Sequence, residues 1–150
     1  MGRRPGGVTT IATRDELILV DSSAWVEFLR GTGSPVNNRV RLLLESRASL
    51  ATAEPIVMEV LAGVRDDRHL TMLRRLVLGC RMIPLRGLAD YEEAAGVYRT
   101  CRRADLTVRR LVNCLIATVA INADVSLLHA DNDFDLIASR TTLRLVDPGA

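Results

Sequence analysis

The chain contains no lysine, because all 20 of its basic residues are arginines. This absence excludes functions whose chemistry needs a primary amine. A P-loop site needs a lysine on the nucleotide phosphates, and a Schiff-base enzyme needs a lysine as its nucleophile. A phosphotransfer receiver domain, which also places an aspartate after a parallel strand, needs a lysine at the end of another strand. We therefore set all three classes aside.

The chain also lacks long apolar stretches and has few cysteines, and both features bear on where the protein acts. No apolar stretch approaches the ~18 residues that span a membrane. No apolar signal core follows the basic N-terminus, so we expect a cytoplasmic protein without a membrane partner. The three cysteines, Cys80, Cys101 and Cys114, lie far apart in the sequence. Their spacing fits neither a zinc site nor a disulfide framework, and we expect buried free thiols.

The composition is that of a folded domain. Of 150 residues, 48% are hydrophobic and 25% are charged, which is typical of a globular chain with one core. Residues 1–16 are rich in Gly, Pro, Thr and charge and lack periodicity, so they predict a flexible N-terminal extension. Residues 17–150 then form a single domain.

Short apolar runs alternate with amphipathic segments along that domain. Such alternation predicts an α/β three-layer sandwich, with a mainly parallel central sheet flanked by helices. The predicted strands are 17–20, 49–52, 81–85, 125–129 and 143–146. The predicted helices are 22–30, one opened by Ser34 and Pro35, 54–63, 67–79, 89–104, 107–123 and 132–139.

Acidic residues recur where these strands end. Asp21 directly follows the first predicted strand, and Asp131 follows the strand at 125–129 by one alanine. Glu59 and Asn113 lie on helices that can flank the same edge of the sheet. Carboxylates held together are costly unless a cation neutralises them. The pattern therefore favours a divalent metal site.

Each of these residues also has a purely structural interpretation. Asp21 and Asp131 can cap the helices that follow them, and Glu59 can lie on an exposed helix face. Asn113 shares a helix face with apolar residues and is expected to face inward, where it can be a hydrogen-bonded core amide. Only the combination of the four residues favours the metal site.

Four segments together resemble the PIN-domain family, and within it the VapC-type ribonuclease toxins of bacterial toxin–antitoxin pairs. The resemblance covers residues 17–147 and depends on the order and spacing of the segments. The segments are Val20-Asp21-Ser22-Ser23-Ala24-Trp25, Glu54-Pro55-Ile56-Val57-Met58-Glu59-Val60-Leu61-Ala62-Gly63, Asn113-Cys114-Leu115-Ile116-Ala117 and His129-Ala130-Asp131-Asn132-Asp133-Phe134.

The resemblance implies a metal-dependent endoribonuclease that uses Mg²⁺ or Mn²⁺. It implies a homodimer and a cognate VapB-like antitoxin that inserts a segment near the acidic pocket. For the homodimer, the sequence adds only the apolar pattern of the early helices, such as Trp25, Phe28, Leu42 and Leu43. Asp21, Glu59 and Asp131 match three of the four family acids, which hold the metal ion and carry catalysis. Ser23 matches a hydroxyl residue that supports the first acid, and Asp133 is expected to assist the fourth.

The third family acid, normally aspartate, is here Asn113. An amide oxygen coordinates a metal ion without contributing charge, so the change predicts weakened or abolished activity. Two functions remain open. One is an endoribonuclease toxin that cleaves structured RNA of the tRNA or rRNA class. The other is a catalytically inactive PIN module that binds its antitoxin and RNA.

A cluster of arginines precedes Asn113. Arginine suits phosphate contacts through its forked donors, so we expect the cluster to bind the RNA backbone beside the pocket. An ordinary solvated helix face is the alternative. The predicted RNA-binding residues are Arg102, Arg103, Arg109 and Arg110.

Overall fold

A computed structural model describes residues 9–10 and 16–149. Its strands are β1 (Thr9–Thr10), β2 (Ile18–Val20), β3 (Leu50–Thr52), β4 (Arg81–Met82), β5 (Ser126–Leu128) and β6 (Leu145–Val146). Its helices are α1 (Ser22–Arg30), α2 (Pro35–Glu45), α3 (Glu54–Gly63), α4 (Asp67–Leu78), α5 (Leu88–Arg103), α6 (Leu111–Ala123) and α7 (Asn132–Ala138).

The strands form one sheet in the order β1-β6-β5-β2-β3-β4, and all five described pairings are parallel. The predicted α/β class with a parallel central sheet is thus confirmed. Strands β2 and β5 are buried along their whole length. Strand β2 is wholly apolar, whereas β5 begins with the buried polar residue Ser126. No helix in the described part of the chain is long and apolar enough to cross a membrane.

The strand order reverses between β2 and β5. From β2 the chain runs outward to β3 and β4, and it then returns to the other side of β2 to form β5 and β6. At such a switch point the connections leave neighbouring strands in opposite directions and open a crevice beyond their carboxyl ends. Asp21 follows β2, and its backbone N–H donates to the carbonyl of Leu128 at the end of β5.

Helix α6 is the central helix of the domain. Its residues from Asn113 to Ala120 are all buried, which explains the near absence of a polar face in its sequence. The buried free thiols Cys101 and Cys114 lie in α5 and α6, and Cys80 is half-buried. The prediction of buried free thiols is therefore confirmed for Cys101 and Cys114, while the free thiol of Cys80 is only partly buried.

Strands β4 and β6 are shorter than predicted, at Arg81–Met82 and Leu145–Val146, and two further elements differ from the sequence-based prediction. Helix α6 begins at Leu111 instead of residue 107, because Arg110 is extended and the side chain of Asp133 binds the backbone N–H groups of Arg109 and Arg110. Thr9–Thr10 pairs with β6, although it falls in the predicted extension 1–16. The remainder of that extension, apart from Glu16, lies outside the described residues.

Candidate metal centre

Asp21 joins two roles at the end of β2. As the N-cap of α1, its Oδ2 accepts hydrogen bonds from the Ser23 backbone N–H at 3.0 Å and the Ser23 hydroxyl at 2.6 Å. Its Oδ1 is buried and has no hydrogen-bond partner among the described residues. Burial raises the pKa of Asp21 to about 6; hydrogen bonds from Ser23 oppose this rise, and the charge of Glu59 adds to it. The expected helix cap and the expected site acid are the same residue.

Glu59 lies on α3 beside Asp21, and both of its carboxylate oxygens are bound. Oε1 accepts a hydrogen bond from the hydroxyl of Ser22 at 3.0 Å, and Oε2 forms an ion pair with Arg110 at 2.5 Å. The Glu59 side chain is only 11% exposed, so the interpretation as a solvated helix residue does not hold. Ser22 thereby ties the start of α1 to α3.

The side-chain amide of Asn113 lies between the carboxylates of Asp131 and Asp133. Its amide nitrogen donates to Asp131 Oδ2 and to Asp133 Oδ2, both at 3.0 Å, and the residue is 1% exposed. This orientation is the favourable one, because the amide oxygen would be repelled by the two carboxylates. Asn113 is therefore a buried hydrogen-bonded amide that also belongs to the acidic cluster.

Asp133 has a structural task. Its carboxylate accepts from the backbone N–H groups of Arg109 and Arg110, both at 2.9 Å, and from Asn113. These bonds satisfy N–H groups at the start of α6 that have no intrahelical partner. Asp133 thus fixes the start of the helix that carries Asn113.

The two halves of the cluster are linked through Ser23. Its hydroxyl donates to Asp21 and accepts from the backbone N–H of Ala130, at 2.9 Å, just before Asp131. Asp131 caps α7 through a bond from the Asp133 N–H to its Oδ1. Asp21 and Glu59 therefore form one pair, Asn113 and Asp131 form the other, and Ser23 holds the two strand ends together.

The donor set fits a hard divalent cation in its chemistry, since carboxylate and amide oxygens are the ligands that Mg²⁺ prefers. The buried Oδ1 of Asp21, which has no partner in the described part of the chain, is the clearest candidate for a cation ligand. Within the described residues, no three His, Cys, Asp or Glu side chains are spaced to hold an ion. Arg110 binds Glu59 and Asn113 binds Asp131, so protein groups already contact oxygens of both carboxylates.

The four arginines predicted to bind RNA are all exposed. Arg102 and Arg103 end α5, and the guanidinium of Arg102 lies 5.7 Å from the centre of the Tyr98 ring. Arg110 differs from the others because its guanidinium is paired with Glu59. The sequence offered no signal for this pair, whose members are 51 residues apart, or for the bond from Ser22 to Glu59.

His129 is a structural residue at the same edge. Its Nδ1 accepts the backbone N–H of Asp131 at 3.0 Å, and its ring packs on Phe134. Burial lowers the pKa of His129, while the neighbouring carboxylates of Asp135 and Asp131 oppose this shift. The neutral ring is thus the form that the site favours, and it helps to orient Asp131.

Comparison with known proteins relates this chain to PIN-domain ribonucleases, both by a family profile and by sequence identity. The sequence profile of the PIN domain matches residues 18–139. The chain is 47% identical to Ribonuclease VapC11 of Mycobacterium tuberculosis over 129 residues, which cover 85% of this chain and 96% of the relative.

Solved structures share the fold at lower sequence identity. DNA-bound VapBC from Salmonella typhimurium aligns with a TM-score of 0.66 and 12% identity, covering 88% of this chain and 97% of the other. A toxin–antitoxin complex from Klebsiella pneumoniae aligns with a TM-score of 0.64 and 16% identity, covering 87% and 97%.

Proposed function

Because this chain belongs to the PIN-domain family, we propose that it is a metal-dependent endoribonuclease toxin that acts in the cytoplasm. The 47% identity with a VapC ribonuclease supports the reaction class. The observation that carries the assignment of the site is the buried Asp21 carboxylate, which lies beside Glu59 at the switch point of the sheet. One of its oxygens has no partner among residues 9–10 and 16–149.

In this proposal Asp21, Glu59, Asn113 and Asp131 hold Mg²⁺ or Mn²⁺. A bound ion of this kind neutralises phosphate charge and activates water for hydrolysis of a phosphodiester bond. Ser23 keeps the Asp21 carboxylate oriented and anchored to the end of β5. Asp133 fixes the start of α6 and positions Asn113, and we assign it no direct contact with the ion.

The activity is tested with metal-stripped protein and a structured RNA of the tRNA or rRNA class. Added Mg²⁺ or Mn²⁺ should allow cleavage, an excess of chelator should stop it, and Glu59→Gln should reduce it strongly under the same conditions. Cleavage that persists in chelator, or that Glu59→Gln leaves unchanged, would contradict a metal-dependent reaction at these residues.

A second candidate function follows from the amide at position 113. Asn113 donates hydrogen bonds to two carboxylates without neutralising them, and it contributes no charge to attract a cation. A catalytically inactive PIN module that still binds its antitoxin and RNA is consistent with this arrangement. Absence of cleavage with both metals, together with retained RNA binding, would favour that function.

RNA binding is proposed to depend on the backbone charge of the nucleic acid. Arg102, Arg103 and Arg109 are exposed near the start of α6, and Arg110 can join them if it leaves Glu59. Only 3% of the residues are aromatic, so base stacking contributes little. RNA affinity should fall steeply as salt concentration rises, and a flat dependence would leave these arginines as a solvated face.

We also propose a VapB-like antitoxin as the cytoplasmic partner. The likeness of the fold to solved toxin–antitoxin complexes supports this partner. An antitoxin segment that offers an arginine to Glu59 or Asp131 would satisfy the acidic cluster by charge-assisted hydrogen bonds. The test is co-expression with the product of the adjacent gene, and a failure of the two proteins to co-purify would count against the partnership.

A homodimer is proposed on a different surface from the one that the sequence suggested. The sequence pointed to the apolar pattern of Trp25, Phe28, Leu42 and Leu43, but Trp25 is fully buried in the core. Three large apolar side chains that line a cavity of about 520 Å³ between α3, α5 and α6 are more than half exposed. They are Met58, Tyr91 and Leu111.

Burying this apolar surface against a second copy would favour association, at about 25 cal/mol per Å² of apolar area. Leu111→Glu should therefore shift the protein from dimer to monomer in light scattering at micromolar concentration. Leu42→Glu, which changes an exposed leucine on α2, is the matched control and should leave the dimer intact. If Leu42→Glu disrupts the dimer and Leu111→Glu does not, the interface is formed by the early helices instead.

A further inference from the structure

Arg110 contacts the acidic cluster in two separate ways. Its backbone N–H is held by Asp133, and its guanidinium reaches across to Glu59 on α3. The backbone is thus fixed while the side chain, which is 57% exposed, ends on a carboxylate that is 11% exposed. Arg110 is therefore well placed to deliver a positive charge to the cluster and to withdraw it again by rotating its side chain.

Protein donors bind nearly all of the carboxylate oxygens of the cluster, although only Arg110 brings a positive charge. Glu59 is bound by Ser22 and Arg110, and Asp131 is bound by Asn113 and by the Asp133 N–H. Of the carboxylate oxygens of Asp21, Glu59, Asp131 and Asp133, the described residues leave only Asp21 Oδ1 without a partner. Any cation that uses Glu59 must therefore share or displace the contact with Arg110.

We propose that Arg110 competes with the divalent cation for Glu59 and so sets the metal affinity of the site. The inference rests on the proposed function, because it assumes that the ion binds at these acids. A guanidinium and a metal ion are both attracted to the same carboxylate oxygen, and the two positive charges repel each other when both are present. Arg110 thus affects the metal ion indirectly, because its contact with Glu59 controls whether that carboxylate can bind the ion.

Competition of this kind would couple metal binding to substrate binding. A guanidinium that leaves Glu59 is free to pair with a phosphate, and it remains anchored beside the cluster by its backbone bond to Asp133. RNA phosphate would then draw Arg110 away and make Glu59 available to the ion. The arrangement favours full loading of the site when both RNA and metal are present.

The test measures Mn²⁺ binding to the metal-stripped chain, without RNA, by calorimetry or by the free-ion signal in electron paramagnetic resonance. Arg110→Gln should bind Mn²⁺ roughly tenfold more tightly than the unmodified chain at low salt, and high salt should shrink the difference. Arg109→Gln is the matched control. It removes the same charge from the adjacent exposed position and should change the affinity less than about threefold, since a more distant charge is screened by water.

Equal affinities for Arg110→Gln and Arg109→Gln would overturn the competition while leaving the metal site itself in place. Weaker binding by Arg110→Gln would also overturn it, because Arg110 would then support the ion. If no form of the protein, including the unmodified chain, binds Mn²⁺ at millimolar concentration, the proposed metal-dependent function fails together with this inference. Thermal unfolding of each variant verifies the fold, and an exposed arginine side chain is a safe position for substitution.

Discussion

Asn113→Asp is expected to increase RNA cleavage by at least about tenfold at neutral pH in the presence of Mg²⁺ or Mn²⁺. The added carboxylate would lie within hydrogen-bond distance of Asp131 and Asp133, where the amide nitrogen now lies. A further negative charge next to Asp131 strengthens the attraction for a divalent ion, which the neutral amide does not provide.

The same substitution should make the stability of the fold depend on metal. Three carboxylates in one buried cluster repel one another, and the two hydrogen bonds from the amide are lost. In chelator, the variant should be less stable by about 1–3 kcal/mol, and added Mn²⁺ should restore the difference. Thermal unfolding with and without metal measures this effect.

Asn122→Asp is a matched control for this prediction. Asn122 lies on the same helix and also donates to two carboxylates, those of Asp90 and Glu93. Nine residues separate it from Asn113, a distance of about 13 Å along the helix axis. The control should lose stability without gaining cleavage or metal dependence. A gain in both variants, or in neither, would show that the amide at position 113 does not limit the reaction.

Sequence patterns located the fold well where the signals are local. The bounds of α1 and α3 agree with the prediction, because Asp21 caps α1, Gly31 ends it in a left-handed conformation, and Pro55 lies in the first turn of α3. The buried strand β2 is a continuous apolar run, and β5 is buried although it begins with Ser126. Their parallel pairing follows from the helices that separate them in the sequence.

Signals that depend on distant partners were not readable from the sequence. The start of α6 is set by Asp133, which lies 23 residues after Arg110. The strand Thr9–Thr10 has only two residues and pairs with the end of the chain, so no alternation or apolar run marks it. These elements are specified by tertiary contacts, which override local preference.

For the candidate site, too, some features were predictable from the sequence and others depended on distant contacts. Asp21 and Asp131 could be placed at one edge because each follows a predicted parallel strand, and the inward orientation of Asn113 followed from its helix face. The contacts of Glu59 could not be predicted, because Ser22 and Arg110 reach it from other elements. The list of acids therefore predicted the kind of site, and the structure added the groups that bind these acids.

Asp21→Asn is expected to abolish metal-dependent cleavage and at the same time to stabilise the metal-free fold. Burial gives Asp21 a pKa of about 6 in the folded chain, against 3.8 for the unperturbed group. The folded state therefore holds this proton more tightly than the unfolded state. The resulting stabilisation is complete below about pH 3.8 and is lost as the pH rises through about 6. The loss amounts to about 3 kcal/mol at most.

A neutral amide does not incur this loss. In chelator at pH 7.5, Asp21→Asn should therefore be more stable than the unmodified chain by about 1–3 kcal/mol, and the difference should close as the pH falls toward 4. Asp90→Asn gives the opposite control. Burial alone raises the pKa of Asp90, but hydrogen bonds from Arg86 outweigh burial and hold it below its ordinary value. Its amide variant should lose stability at pH 7.5, and that loss should shrink in acid. Two results would contradict this prediction: Asp21→Asn is destabilising at pH 7.5, or its stability relative to the unmodified chain does not change with pH. Either result would mean that the ionised Asp21 carboxylate does not destabilise the metal-free fold.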